Sequence, residues 1–497
     1  MNTHLLSKST FIKGLQCEKQ LFLYKHYPEL QDKISDIQQA VFDRGHEVGR
    51  LAQQLFPGGI DASPQSFRDY SDALKLTSEL IYKKTNAIYE ASFQFNDVLV
   101  VADIVARDGD KWKIYEVKSS TNVSNTYLMD AAVQYYVITN LGIEISDFSI
   151  ITIDTSYYRQ GELDINALFK SESVLKRIEK QQDFIAEKVE VLKKVAVSKV
   201  VPEIPIGEYC LTPYTCSYYN HCWKNIPQDS VFDISGMHLR KKFELLNSGI
   251  VKMKDIPPGL PLPKNQRLQV DSFINNKTII DCDEIKTFLN SFNYPLYYLD
   301  FESFQPAIPL YNNSQPYQQI PFQYSLHVKD NPDAELKHYE YLAEANGDPR
   351  IDFIKRLLQD IGSEGDIVVY NKSYEIGRLK ELGRDFPEYE KELALLIDRV
   401  IDLMIPFQKK CYYAPSMKGS FSIKYVLPAL VKELDYENME IANGVSASLG
   451  FENLQNETDM FRINEIRNQL LEYCKLDTYA MVKIHEKLLE IINHEDQ

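Results

Sequence analysis

Long apolar runs are missing from this sequence: no window of its 497 residues approaches 18 uninterrupted apolar positions, the length a bilayer-spanning helix needs. The opening residues also lack the charged-then-apolar order of a secretory signal, so the expectation is a soluble, cytoplasmic chain with no membrane partner. Positive charge is in deficit. Lysine and arginine number 55 against 71 acidic residues, a balance of 55 − 71 = −16, which excludes coating of nucleic acid by bulk charge and leaves only local basic patches. Internal repeats, low-complexity tracts and a Walker-type phosphate loop are absent, so ATP-driven unwinding would have to come from a separate helicase. Cysteines are few and odd in number, seven, and are expected as reduced thiols, metal ligands or core residues.

What is present is the composition of a folded protein, 44% apolar, 25% charged and 12% aromatic. At about 150 residues per domain the length suggests two to four domains. Residues 1–225 mix helical and strand patterns and end in a cysteine-rich stretch. Residues 226–292 carry short amphipathic pieces such as "HLRKKFELLNSGI", broken by "DIPPGLPLPKNQ", and are expected as a helical connector. Residues 293–497 alternate strand-like and helical segments again, so the fold class expected is α/β multidomain.

A first group of candidate residues lies between Phe95 and Asn140. "FNDVLVVADIVAR" and "KWKIYEVKSS" read as the two strands of a hairpin. A turn at Asp108-Gly109 would set Asp103 opposite Ile114, with Glu116 its diagonal neighbour and Lys118 on the same side. An Asp, a Glu and a Lys then converge, the set that holds Mg²⁺ or Mn²⁺ and assists an attacking water in phosphodiester hydrolysis. The segment that follows, "NTYLMDAAVQYYVITNLG", has helical spacing, with Asp130 and Gln134 one turn apart. The pattern resembles the PD-(D/E)XK nucleases of the RecB type, whose Asp, Glu-x-Lys and helix Gln fall on Asp103, Glu116, Lys118 and Gln134. The resemblance implies a restriction-endonuclease-like fold and a further ligand on an early helix. "FDRGHEVGRLAQQLF" fits that place; His46 and Glu47 would point about 100° apart, and Glu47 is the residue chosen.

Cys17 precedes this core, and Cys210, Cys216 and Cys222 follow it within "YCLTPYTCSYYNHCW". Four thiolates suit an iron–sulfur cluster or tetrahedral zinc alike. The layout resembles RecB-type nucleases that clamp a [4Fe–4S] cluster with one early and three late cysteines, which puts iron–sulfur ahead of zinc. Both gaps between the late cysteines span five residues here, where the commonest relatives have one gap of two.

The second group lies in the last 200 residues or so. "YPLYYLDFESFQP" reads as a buried strand with Asp300 and Glu302 on one face. Asn371 is expected to cap a helix carrying Glu375, "DRVIDLM" offers Asp402, and Tyr473 and Asp477 share a face of a late helix. Four carboxylates, Asp300, Glu302, Glu375 and Asp477, suit two cations about 4 Å apart, with Tyr473 orienting water. The order resembles the DnaQ-like exonucleases of the RNase H-like fold, in the branch whose last motif carries tyrosine, although the second motif ends in Glu375 rather than Asp. The segment from about Pro295 also looks like a bacterial domain of unknown function found behind RecB-type nucleases.

Lysines interleave with aromatics in "HLRKKF", "VLKKVAVSK", "FQKKCYY" and "SMKGSFSIKY", the mixture that tracks phosphates and stacks bases. The function expected is thus a Mg²⁺- or Mn²⁺-dependent nuclease with two phosphodiesterase centres, exonucleolytic on single-stranded DNA or DNA ends. RNA as substrate, or an end-binding scaffold with one or both centres inactive, are the alternatives, and a helicase, repair or defence protein is the partner class.

Overall fold

Ser7 ends a two-residue strand, β1 (Leu6–Ser7), and opens helix α1 (Lys8–Gln16), because its Oγ accepts from the Thr10 amide while the Thr10 hydroxyl accepts from the Ser7 amide. A computed structural model describes the chain over residues 4–66, 70–436 and 439–495. It is an α/β protein in two compact units, Met1–Asn225 with Ala307–Tyr317, and Ile226–Pro306 with Gln318–Gln497. Among the described residues no helix is long and apolar enough to cross a membrane.

In the first unit, α2 (Glu18–His26) and α3 (Asp36–Ala52) precede a mixed sheet. Its strands are β2 (Ile60–Asp61), β3 (Ala87–Phe95), β4 (Val98–Asp108), β5 (Lys111–Val117), β6 (Ile145–Ile153) and β7 (Phe169–Ser173), side by side in that order, with β1 beside β4. Helix α4 (Asn125–Asn140) crosses between the parallel neighbours β5 and β6. Its Ala131, Val133 and Val137 join Ile88, Phe93, Val100 and Ile114 in the main core, together with Leu192 from α5 (Gln182–Val197).

The β4–β5 hairpin forms, but not around the expected turn. Asp108 pairs with Lys111, so Gly109 and Asp110 make the turn, and Gly109 takes the first central position at φ +64°, which a Cβ would resist. Continuing this register sets Asp103 directly across from Glu116, instead of across from Ile114 with Glu116 on the diagonal. The partner moves by two residues, an even number, so both carboxylates stay on one face. On the other side of Asp103, the pairs Tyr89–Ile104 and Ala91–Ala102 bracket Glu90, which stands at φ +53° in mid-strand.

The second unit begins with the stretch expected as a connector. Its helices α6 (Leu239–Asn247), α7 (Lys264–Asn275) and α8 (Cys282–Leu289) are present, and Val231, Ile234, Leu245, Met253 and Val270 form a small core of their own. A short strand, β8 (Ile279–Ile280), follows α7. The main sheet comprises β9 (Leu296–Phe304), β10 (Ile320–Lys329), β11 (Lys337–Leu342), β12 (Asp366–Val369) and β13 (Val400–Asp402), in the order β11-β10-β9-β12-β13. Helix α9 (Lys372–Asp385) links β12 towards β13, and β14 (Tyr412–Tyr413) pairs with β8. After it come α10 (Ile423–Leu430), α11 (Gly444–Leu454) and the 36-residue α12 (Met460–Glu495).

β9 is the central strand, and its alternation divides its work. Leu299 and Phe301 enter a core with Tyr324, Phe353 and Ile367. Tyr298, Asp300 and Glu302 take the opposite face, where Tyr298 Oη meets His485 Nδ1 of α12 at 2.6 Å. Gln323 on β10 donates to the Leu470 carbonyl of the same helix at 2.8 Å, which pins α12 across this face.

Candidate functional site

In the first unit, Glu116 is 1% exposed and sits among donors. Lys8 Nζ and Lys118 Nζ both reach its Oε1 at 2.7 Å, and Gln134 Nε2 donates to its Oε2 at 2.7 Å. Lys118 also pairs with Asp130 at 2.8 Å, and Asp103 accepts from the Val117 amide at 2.6 Å. The four residues expected here, Asp103, Glu116, Lys118 and Gln134, are therefore brought together. Glu47 is exposed on α3, although that helix passes the site: a Cβ on Gly45 would lie 3.9 Å from Ser119 Oγ.

Two residues of this centre escaped sequence reasoning, Lys8 and Glu90. Lys8 is 108 positions from Glu116, and no periodic pattern joins them. Glu90 left no signal either, because a left-handed residue in mid-strand is invisible to alternation.

The charges are nearly balanced. Burial opposes ionisation of Glu116, but Lys118 and Lys8 overcome it and hold the carboxyl at about 2. Burial works against charge on Lys118 and Lys8 too, and Glu116 outweighs it, so both ammonium groups are shifted upward. Asp103 is pushed up to about 6 by burial and by the Glu116 charge, and Glu90 to about 8 by burial and Asp103.

The second unit holds a different arrangement. Ligand oxygens of Asp300, Glu302 and Asp477 lie within 4.8 Å of one another, the one such acidic, histidine or cysteine trio among the described residues. Among the described residues no lysine or arginine pairs with them at salt-bridge distance; Lys424 stands nearby, its Nζ 5.4 Å from the Tyr473 ring centre and 5.6 Å from that of Tyr436. Burial together with mutual repulsion drives the carboxyls of Asp300 and Glu302 well above their ordinary range. Asp477 is raised to about 6 by burial, against the pull of a 2.6 Å hydrogen bond from Tyr436 and of one from Tyr473. Tyr473 thus faces Asp477 as the spacing implied, whereas Tyr436 was not foreseen.

Glu375 is buried in the first turn of α9, and burial with the Asp300 charge lifts its carboxyl. Its Oε2 has no hydrogen-bond partner. Asn371 occupies the cap position of that helix, but at φ +82° its side chain does not cap and accepts from Ser373 instead. Asp402 does the capping, receiving the Asn371 and Lys372 amides at 3.0 and 3.1 Å.

Two of the basic, aromatic segments meet in the second unit. Lys242 from "HLRKKF" and Lys418 and Phe421 from "SMKGSFSIKY" line one open cavity of about 670 Å³, with Phe232 and Tyr370.

Cys17, Cys210, Cys216 and Cys222 all line one small cavity in the first unit, beside Tyr209 and Tyr218. No three of their sulfurs lie within 4.8 Å of one another. A zinc tetrahedron with 2.3 Å bonds needs sulfurs about 3.8 Å apart, so the set is splayed wider than zinc requires. Burial raises the Cys17 and Cys222 thiols, and Cys216 reaches about 12.

Residues 297–422 match a family described only as a domain of unknown function, DUF2779. An uncharacterised protein of Ureaplasma parvum is 27% identical over 269 residues, covering 44% of this chain and 38% of that protein. An uncharacterised protein of Mycoplasma genitalium is 28% identical over 218 residues, covering 40% of this chain and 32% of its own length. The chain spans about a third of the length of the curated relatives it matches. No solved structure matches it.

Proposed function

We propose that the chain is a metal-dependent nuclease with two phosphodiesterase centres, a RecB-type PD-(D/E)XK centre in the first unit and a DnaQ-like, RNase H-like centre in the second. The observation that carries the reading is the trio Asp300, Glu302 and Asp477, one half-buried and two buried carboxylates within 4.8 Å, with no paired cation among the described residues. Such a set is costly unless a cation shares it. Mg²⁺ or Mn²⁺ bound there supplies charge neutralisation and a more acidic water. Asp300, Glu302 and Asp477 would hold the cation, Glu375 would add a carboxylate from α9, and Tyr473 would orient the water that attacks phosphorus as the bridging P–O bond breaks.

In the first unit, Asp103 and Glu116 would hold the cation, Lys118 would steady the attacking water, and Gln134 would fix Glu116. The splayed cysteines favour a [4Fe–4S] cluster over zinc; its part is structural, tying Cys17 to a stretch about 200 residues later. The substrate is single-stranded DNA or DNA ends, and the lysine-aromatic cavity suits a strand leading to the second centre.

The test is degradation of a 5′-labelled single-stranded DNA and a matching RNA with Mn²⁺, using protein purified without oxygen. Wild type is compared with Lys118→Ala, Asp300→Ala and the double variant. Each single variant should lose a distinct part of the activity, and the double all of it. Wild-type protein that binds both polymers and leaves them intact would replace the nuclease with an end-binding scaffold. Cleavage of the RNA alone would make it an RNA exonuclease.

A further inference from the structure

Lys8 is the least expected member of the first centre. Its backbone is fixed twice over: Ser7 and Thr10 cap α1 reciprocally, and Leu6 and Ser7 pair with Val98 and Leu99 at the start of β4. From that anchor the side chain reaches Glu116 Oε1, the same oxygen that Lys118 Nζ holds. Two ammonium groups thus share one carboxylate oxygen. Lys118 is the more committed of the two, being tied also to Asp130 and lying over the Tyr127 ring at 5.1 Å. Lys8 has Glu116 as its one ion-pair partner among the described residues.

A divalent cation between Asp103 and Glu116 would need oxygens facing the Asp103 side. Glu116 Oε2 is taken by Gln134, and Oε1 by the two lysines. With both Glu116 oxygens engaged, and no carboxylate trio assembled here among the described residues, entry of a metal requires one donor to leave. A lysine on a flexible four-carbon stem with a single partner leaves most easily.

We propose, on the nuclease reading of this centre, that Lys8 is a placeholder cation: it holds Glu116 in the metal-free centre, gives up that oxygen to the divalent cation, and turns to the phosphate of the substrate strand. The ammonium exchanges one anionic oxygen for another, so no proton or bond changes hands. Lys8 becomes a substrate-binding residue of the first centre, beside Lys118 at the water.

The experiment is calorimetric titration of Mn²⁺ into the full chain in an Asp300→Asn background, with and without Lys8→Gln. Loss of the competing ammonium should tighten the Asp103-dependent Mn²⁺ site about three- to tenfold. In the same protein the KM for 5′-labelled single-stranded DNA should rise at least about tenfold, more than kcat falls. Lys8→Arg keeps the charge and the fold, and should leave Mn²⁺ affinity near that of Lys8 with KM largely restored. Mn²⁺ binding that is unchanged or weaker in Lys8→Gln, as a merely structural lysine would give, overturns the proposal and leaves the nuclease reading intact. Absence of any Asp103-dependent Mn²⁺ binding overturns both.

Discussion

The two acidic centres solve the same electrostatic problem in opposite ways. In the first unit Glu116 is buried with its counter-charges already in place, Lys8 and Lys118 at 2.7 Å and Gln134 on its other oxygen. In the second unit the half-buried Asp300 and the buried Glu302 and Asp477 face one another, and Glu375 adds a buried carboxylate with an unpartnered oxygen. Similar residue types are thus charge-balanced at one site and charge-deficient at the other. What differs is whether lysines of the chain pair with the carboxylates, as at Glu116, or, among the described residues, do not, as at the trio.

The largest consequence is a difference in sign. Without metal, Glu116→Ala should cost about 2–4 kcal/mol, because it leaves the half-buried Lys8 with no ion-pair partner and Lys118 with Asp130 alone. Asp300→Asn should instead stabilise the second unit by about 1–2 kcal/mol, because it relieves repulsion among buried carboxylates. Hydrogen exchange of β5 and α12 amides in EDTA measures the two separately, and equal losses at both sites would break the contrast.

Acidity should separate the centres next. Asp477 is held at about 6, above its ordinary value near 3.8, so the folded second unit binds its proton more tightly than the unfolded chain does. The Asp477 contribution is then most favourable below about pH 4 and is lost as pH rises from about 4 to about 6, by on the order of 2–3 kcal/mol. Glu116, held at about 2, works in reverse: its contribution is present above the ordinary carboxyl range and is lost as pH falls towards 2. Adding Mn²⁺ above pH 6 should reverse the decline in α12 protection, with a far smaller gain at β5; a larger gain at β5 would invert the assignment.

Tyr436→Phe removes the 2.6 Å donor from Asp477 and should cost about 1.5–3 kcal/mol at pH 7.5, and less at pH 5 where Asp477 is protonated. Thermal unfolding at the two pH values checks it. The smallest pair of effects concerns the start of α9. Asp402→Ala should cost about 1 kcal/mol by uncapping it, while Asn371→Gly should gain about 0.5 kcal/mol by relieving a left-handed backbone; denaturant midpoints measure both.

Features set by local pattern were legible in the sequence. The period of two placed Asp300 and Glu302 on one face of β9, and a spacing of four aligned Tyr473 with Asp477 on α12. The β4–β5 hairpin was visible from its β-branched residues, yet its register was missed because Gly109 takes the first turn position and not the second. Contacts made at long range were hidden. Lys8 meets Glu116 across 108 positions and Tyr436 meets Asp477 across 41, distances at which no periodicity survives. The Asn371 cap failed for a related reason: Asp402, brought beside it by β12–β13 pairing, supplies the oxygen instead.

Helix α1 has Lys8 at its first position and Cys17 just past its last. Nine residues at 1.5 Å each make a rod of about 13 Å. It does not turn freely, since a Cβ on Gly14 would strike Leu192 at 2.7 Å. One short rod thus has the cysteine cavity at one end and the acidic centre at the other, so a single helix sets the spacing between Cys17 and the Lys8 ammonium that meets Glu116.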